Sequence, residues 1–214
     1  PFEIEARYRY NQDFRSLDAM VPAVIPLMLI FLPAILMALG VVREKELGSI
    51  TNLYVTPVSR VEFLLGKQLP YVVVSMVSFY LLVALAVFIF DVELKGSLVA
   101  LSIAALLYVS VTTGMGLLVS TFTRTQIAGL AAASIVTMIP TVQFSGLSDP
   151  VSSLEGASRL IGEAWPATHF ISISRGLFTK ALEPGDVMLN YLVLAAYIPV
   201  ITLFSALLLR KQGR

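Results

Sequence analysis

Residues 41–71 read VVREKELGSITNLYVTPVSRVEFLLGKQLPY and break an otherwise apolar chain with seven charged side chains between Arg43 and Lys67. The 214 residues as a whole are 57% apolar and 14% charged, with a mean hydropathy of +0.84, far from the composition of a soluble domain. The solvent of such a chain is a bilayer, and the fold reading turns on where the charged stretch lies relative to the membrane spans.

A helix needs about 20 apolar residues to cross the hydrocarbon. Uncharged runs of that length occupy 21–42, 69–90, 97–120, 126–147 and 188–209, which predicts an all-α, polytopic protein with five transmembrane helices. The quoted stretch is then the loop between the first two spans. Basic residues in short loops favour the cytoplasmic side. With 43–67 inside, that side holds Arg43, Lys45, Arg60, Lys67, Arg124, Arg210, Lys211 and Arg214 against Glu44, Glu46 and Glu62. The expected arrangement therefore has the N-terminus outside and the C-terminus cytoplasmic. Residues 1–20 are polar, carry acids and lack the basic start and apolar core of a signal peptide. They read as a membrane-entry segment or the tail of an extracytoplasmic domain, followed by a transmembrane domain over 21–210 and a tail over 211–214.

The order inside the charged loop is that of a built element. Leu47, Ile50 and Tyr54 recur at helical spacing after Arg43, Glu44, Lys45 and Glu46, which predicts a short amphipathic helix at the membrane surface. Pro57 stops it. Thr56 can cap a new helix with Pro57 at its first position, and Ser59-Arg60-Val61-Glu62 has the capping-box pattern ahead of Phe63-Leu64-Leu65. The expectation is two short helices joined at a proline turn, a cytoplasmic elbow over 43–67. A flexible linker would instead be rich in Gly and Ser without helical period.

Several chemistries are excluded. A net charge of +1 argues against direct contact with nucleic acid, and the absence of cysteine removes disulfides, thiolate zinc sites and cysteine nucleophiles. With one histidine there is no histidine-rich metal cluster. Gly66-Lys67 is not a phosphate loop, because Val61 and Gln68 stand where Gly and Ser or Thr are required. No Gly-x-Ser-x-Gly elbow or paired-histidine zinc motif is present, so the chain is not expected to be an enzyme. The five runs contain no Asp, Glu, Lys, Arg or His, which argues against ion or proton coupling. Their polar content, from Ser75 and Ser78 to Thr141, Gln143 and Asn190, fits helix packing and bonds to backbone, and Ser110, Gly114 and Gly116 fit close helix contact. Pro22, Pro26 and Pro33 in the first run and Pro140 in the fourth read equally as gate kinks or as tolerated bends.

Residues 148–187 are too long for an ordinary connection. Two pieces too short to cross, Ser152–Ile161 and Thr168–Lys180, flank Trp165-Pro166. Phe170, Ile171, Ile173, Leu177 and Phe178 cover much of the second, which predicts a re-entrant pair partly buried in the outer leaflet, its backbone shielded by protein. His169 reads as a capping or interface residue. Arg175 reads either as a lid charge for an anionic substrate or as an interfacial snorkelling arginine.

The run REKELGSITNLYVTPVSRVEFLLGK resembles the signature of the ABC-2 type permeases, the membrane subunits of one class of ATP-binding cassette exporters. An acidic pair, a Gly-Ser step, a Thr-Pro turn and a Leu-x-Gly-Lys ending follow one another in it. The segment FSGLSDPVSSLEGASRLIGEAWPATHFISISRGLF resembles the outer re-entrant region of the same family. Within it the chain is most similar to the membrane part of the ribosome-associated ABC ATPase and its multidrug exporter relatives. The resemblance implies a six-helix, type V exporter-like fold of which this chain carries five spans, the first span being expected upstream. Leu154-Glu155 departs from the Met-Pro common in the family after Pro-Val-Ser-Ser.

The resemblance further implies that Glu44, Glu46, Gly48, Ser49, Thr56, Pro57, Gly66 and Lys67 form a coupling helix that docks on a nucleotide-binding domain. It implies that Ser145, Gly146, Pro150, Pro166, Thr168 and Arg175 belong to the re-entrant gate. The partners implied are that ATPase domain, carrying ATP and Mg with no cofactor in this chain, a second permease subunit, the lipid bilayer of the inner membrane, and the ribosome through a fused ATPase. Export of a drug-like, lipid or polysaccharide cargo is the implied function; an anchor holding a ribosome-associated ATPase at the membrane is the alternative.

Overall fold

The computed structural model describes residues 16–48, 60–147, 150–180, 182 and 185–208. Among these, five helices are long and apolar enough to cross a membrane, which establishes the all-helical, multi-pass architecture. They are α1 (Ser16–Glu46), α2 (Arg60–Phe88), α3 (Leu98–Phe122), α4 (Gln126–Phe144) and α7 (Met188–Leu208). Between α4 and α7 lie a 3₁₀ turn (Val151–Ser153), α5 (Gly156–Ala164), α6 (Pro166–Arg175) and a π turn (Gly176–Lys180).

The helices alternate in direction. One face of the bundle gathers the end of α1, the start of α2, the end of α3 and the start of α4, where Glu44 meets Lys67 and Glu46 meets Gln126. The opposite face holds α5, α6 and the start of α7. There the Tyr191 hydroxyl of α7 donates to the Ala100 carbonyl of α3 at 2.9 Å.

Helices α1 and α3 form the buried centre. Packing in lipid is driven by close backbone approach, and Gly116 of α3 lies so near Ala34 of α1 that a Cβ there would overlap the Ala34 carbonyl. Gly114, two residues earlier, faces Ile201 of α7. The contacts expected of these small residues are thus present. The main core joins Ile25, Leu29 and Ile30 of α1 to Leu101, Tyr108 and Val109 of α3 and to Phe170 and Ile173 of α6. Outward faces of α2, α4 and α7 are lined by large apolar side chains such as Val77, Leu81, Ile127, Ile135, Leu192 and Leu203, as helices facing hydrocarbon require.

The helices run continuously through Pro22, Pro26, Pro33 and Pro140. A proline removes the N–H that would bond the carbonyl four residues earlier, so Pro26 frees the Pro22 carbonyl. In α6 the buried Ser174 hydroxyl donates to that carbonyl at 2.7 Å. The Tyr108 hydroxyl donates to the Pro26 carbonyl at 3.0 Å while its ring stacks on Phe170 at 4.4 Å. These bonds seat α6 inside the protein.

Several sequence expectations are corrected. Arg43–Glu46 do not lead into a separate surface helix; they are the last turn of α1, which continues past 42 because Glu44, Lys45 and Glu46 find partners on neighbouring helices. It ends at Gly48, whose φ of +71° is left-handed backbone that favours glycine. Likewise Val61–Gln68 are the opening turns of α2 itself, held by Leu64 in a core with Met37, Val41 and Leu117. The proline turn at Thr56-Pro57 and the helix through Ile50 and Tyr54 lie outside the described residues. In the re-entrant region, Phe170, Ile171, Ile173, Leu177 and Phe178 are buried against α1 and α3 rather than in lipid. Pro166 opens α6 at its first turn instead of standing between two helices, and the second piece passes from α-helix to π turn at Gly176.

Gly116→Ala is expected to destabilise the protein by about 3 kcal/mol or abolish folded yield, whereas Gly66→Ala, with open space around it, is expected to be neutral or mildly stabilising. Thermal unfolding in detergent reads both. Ser174→Ala alone is expected to cost about 1 kcal/mol. In a Pro26→Ala background, where the new N–H can take the Pro22 carbonyl, the same change should cost clearly less, and equal costs would remove the role assigned to Ser174.

Candidate functional site

Successive helical side chains point about 100° apart, so the three consecutive residues that end α1 face three different neighbours. Glu44 Oε1 accepts from the Lys67 ammonium of α2. Lys45 Nζ donates to the Ser120 carbonyl in the last turn of α3, where carbonyls lack helical partners and the helix dipole favours a cation. Glu46 receives the backbone N–H of Gln126 on Oε1 at 2.9 Å and the Gln126 side-chain amide on Oε2. Gln126 is the first residue of α4, whose N-cap Thr125 accepts from the Ala128 N–H at 3.3 Å. A carboxylate is favoured there for the reason that a cation is favoured at the end of α3.

The start of α2 is tied twice. The Lys67 ammonium also lies 5.5 Å from the Phe63 ring centroid. Its neighbour Gln68 is buried and donates to the Thr113 hydroxyl of α3 at 2.8 Å and to the Ser110 carbonyl at 2.5 Å. Inside an apolar bundle such amide bonds fix register, because breaking them leaves a polar group with no water to turn to.

Of the residues expected to couple, the structure therefore brings Glu44, Glu46 and Lys67 to one face. Gly48 closes α1, and Gly66 lies exposed on α2. Ser49, Thr56 and Pro57 lie outside the described residues. Lys45, Gln68, Ser120 and Gln126 complete the cluster and were not singled out from the sequence. Lys45 alone carried a signal, a cation between two acids at the end of an apolar run.

The opposite face holds the expected gate residues in two groups. Ser145 caps α4 with its hydroxyl on the Thr141 carbonyl. Just beyond it, the Arg175 guanidinium donates from Nη1 to the Gly146 carbonyl at 2.8 Å and from Nη2 to the Leu147 carbonyl at 3.0 Å. A planar fork suits two successive carbonyls, and the Arg175 Nε is buried without a hydrogen-bond partner. Arg175 thus clamps the end of α4 onto α6, and its hydrogen-bonding groups turn into the protein.

The second group is the α5–α6 joint. The Thr168 hydroxyl donates to the Gly162 carbonyl at 2.6 Å, and the Trp165 indole N–H donates to the Thr141 hydroxyl at 2.9 Å. His169 bridges the Glu163 carbonyl at 3.1 Å and Asn190 of α7 at 2.9 Å. His169 is thus an interface residue, as the sequence suggested. Pro150 stands apart, exposed, with Ser153 folding back on its carbonyl at 2.7 Å. Among the described residues, neither face pairs a nucleophile with a base. What both faces do is hold helix ends together.

The chain matches the ABC-2 family transporter protein family over residues 1–207. Among curated proteins it is 32% identical over 194 residues to "Probable multidrug ABC transporter permease YbhS" of Escherichia coli, covering 91% of this chain and 52% of that protein. It is 25% identical over 178 residues to "Probable multidrug ABC transporter permease YbhR" of the same organism, covering 83% and 48%. A more distant relative, "ABC transporter G family member 20" of Dictyostelium discoideum, is 21% identical over 206 residues, covering 95% and 28%. This chain spans about half the length of the Escherichia coli relatives. No solved structure matches it. With the family matched along nearly its whole length and five membrane-length helices in the order the motifs require, the chain belongs to the ABC-2 transporter family as a membrane-spanning permease.

Proposed function

We propose that the chain is the translocating membrane part of an exporter driven by ATP that a partner nucleotide-binding domain, loaded with ATP and Mg, hydrolyses. The observation that carries this reading is the Glu44–Lys67 ion pair that joins the end of α1 to the start of α2. Residues 49–59 connect two helices whose facing ends, at Glu44 and Lys67, are drawn together by an ion pair, so a partner seated on that loop pushes on α1 and α2 at once. Charges at such a seat fix register and partner choice more than affinity.

Export is favoured over an anchoring role tied to the ribosome by the relatives, whose names describe multidrug permeases. The cargo that fits is amphipathic or apolar, since the spans offer hydroxyls and no charge to a passenger. The permease works as a dimer in the inner membrane, with the elbow cytoplasmic and α5 and α6 on the outer side. The basic residues Arg43, Lys45, Lys67 and Arg124 lie at the elbow face, in keeping with cytoplasmic placement.

A photocrosslinker at Asn52 of the full-length protein is expected to capture an ATP-binding cassette ATPase, identified by mass spectrometry; capture of no such ATPase would remove the coupling reading. A reporter fused after Arg214 is expected to be active in the cytoplasm, and thiol reagents that do not cross membranes are expected to label Ser153→Cys from outside. The reverse pattern would invert the topology.

A further inference from the structure

The bonds at the end of α1 are not equivalent, and their inequality points to a moving part. Helices α1 and α3 meet backbone to backbone at Ala34 and Gly116. Lys45 and Glu46 then bind main-chain groups of α3 and α4, the Ser120 carbonyl and the Gln126 N–H, which cannot turn away without unwinding a helix end. The Glu44–Lys67 pair differs. It joins two side chains, either of which can turn away without disturbing a helix end; at 33% and 31% exposed it is reached by water and salt, as the exposed Glu46 is, so that it contributes little and breaks at little cost. It also joins the two helices between which residues 49–59 run in sequence.

We propose that the Glu44–Lys67 ion pair is a releasable clasp: closed in the resting permease, opened when the nucleotide-loaded partner draws on the elbow, with α1, α3 and α4 moving as one body against α2. The resting half of this statement depends only on the chain itself; the opening half rests on the coupling reading above. Gln68 marks the pivot. Its buried bonds to Ser110 and Thr113 sit one residue beyond the clasp, so α2 swings about a point fixed on α3 while its first turns separate from α1. A carboxylate at 44 that served the ATPase alone would have no need of a lysine at 67, and the two readings therefore predict different mutant pairs.

The test places spin labels at the exposed positions Leu47 and Val61 in the full-length protein with its ATPase and measures their separation. Without nucleotide, one narrow short-distance population is expected, with a shift to longer distance after trapping with ATP and vanadate. Glu44→Lys and Lys67→Glu should each show the longer distance without nucleotide, and the double reversal should restore the short one. Identical distances in both nucleotide states would overturn the opening step. Failure of the double reversal to restore the resting distance, with both single variants inserted normally, would overturn the clasp. If a single variant fails to insert, a bismaleimide bridge between cysteines introduced at 44 and 67 takes its place. A bridged protein that still shows the full nucleotide-dependent change between 47 and 61 rules the clasp out. Loss of the coupling reading is detected separately, by the Asn52 crosslink, and leaves the nucleotide-free arm intact.

Discussion

Hydrocarbon offers a backbone no hydrogen bonds, and the architecture follows from how each unpaired group is met from within the protein. Proline in α1 frees a carbonyl that water would satisfy in a soluble protein. Here Ser174 of α6 satisfies it, and the Tyr108 hydroxyl adds a bond to the Pro26 carbonyl one turn further along. The same demand explains why α6, too short to span, sits in the core rather than at the lipid. Its hydroxyl is needed there, and its apolar residues fill the space between α1 and α3. At the helix ends the demand is met by charge, with Lys45 on the last turn of α3, Glu46 on the first residue of α4 and the Arg175 fork on the residues after α4.

Much of this was legible in the sequence, because hydrocarbon imposes a long, simple signal. Five runs without charge gave five helices, and Gly114 and Gly116 announced close packing. Helix limits were harder to read. Hydropathy registers where lipid ends, whereas a helix ends where its backbone loses partners, so α1 runs on through Arg43–Glu46 and α2 begins well before residue 69. A stretch of alternating charge reads as solvated surface until the neighbours that neutralise it are seen. Lys45 and Glu46 are spoken for by helices about 75 to 80 positions away, a separation that local pattern cannot register. The burial of Phe170 and Phe178 escaped for the same reason, since an apolar face has the same spacing whether lipid or protein covers it.

The candidate site divides along the same line. Glu44, Glu46 and Lys67 stood out through their motif, and the structure gives each a mechanical task inside the chain. Gln68 did not stand out, being one amide at the edge of an apolar run, yet its buried bonds make it the firmest polar tie between α2 and α3. Polar residues of this kind are read by what surrounds them, and that comes only with the fold.

The loop after α2 carries a small contact with a large reach. Gly96 donates its N–H to the Leu177 carbonyl in the π turn at 2.7 Å, and the backbone of Leu177 lies against it. Helix α2 has 29 residues, and at 1.5 Å per residue it is about 44 Å long. Pivoted near Gln68, close to one end, it is a lever with very unequal arms: a tilt of about 5° carries its far end through roughly 3 Å. That displacement is comparable to the length of the Gly96 bond, and since Gly96 adjoins the cap of α3 and holds to the π turn, residues 89–95 are where such a movement of α2 would be taken up.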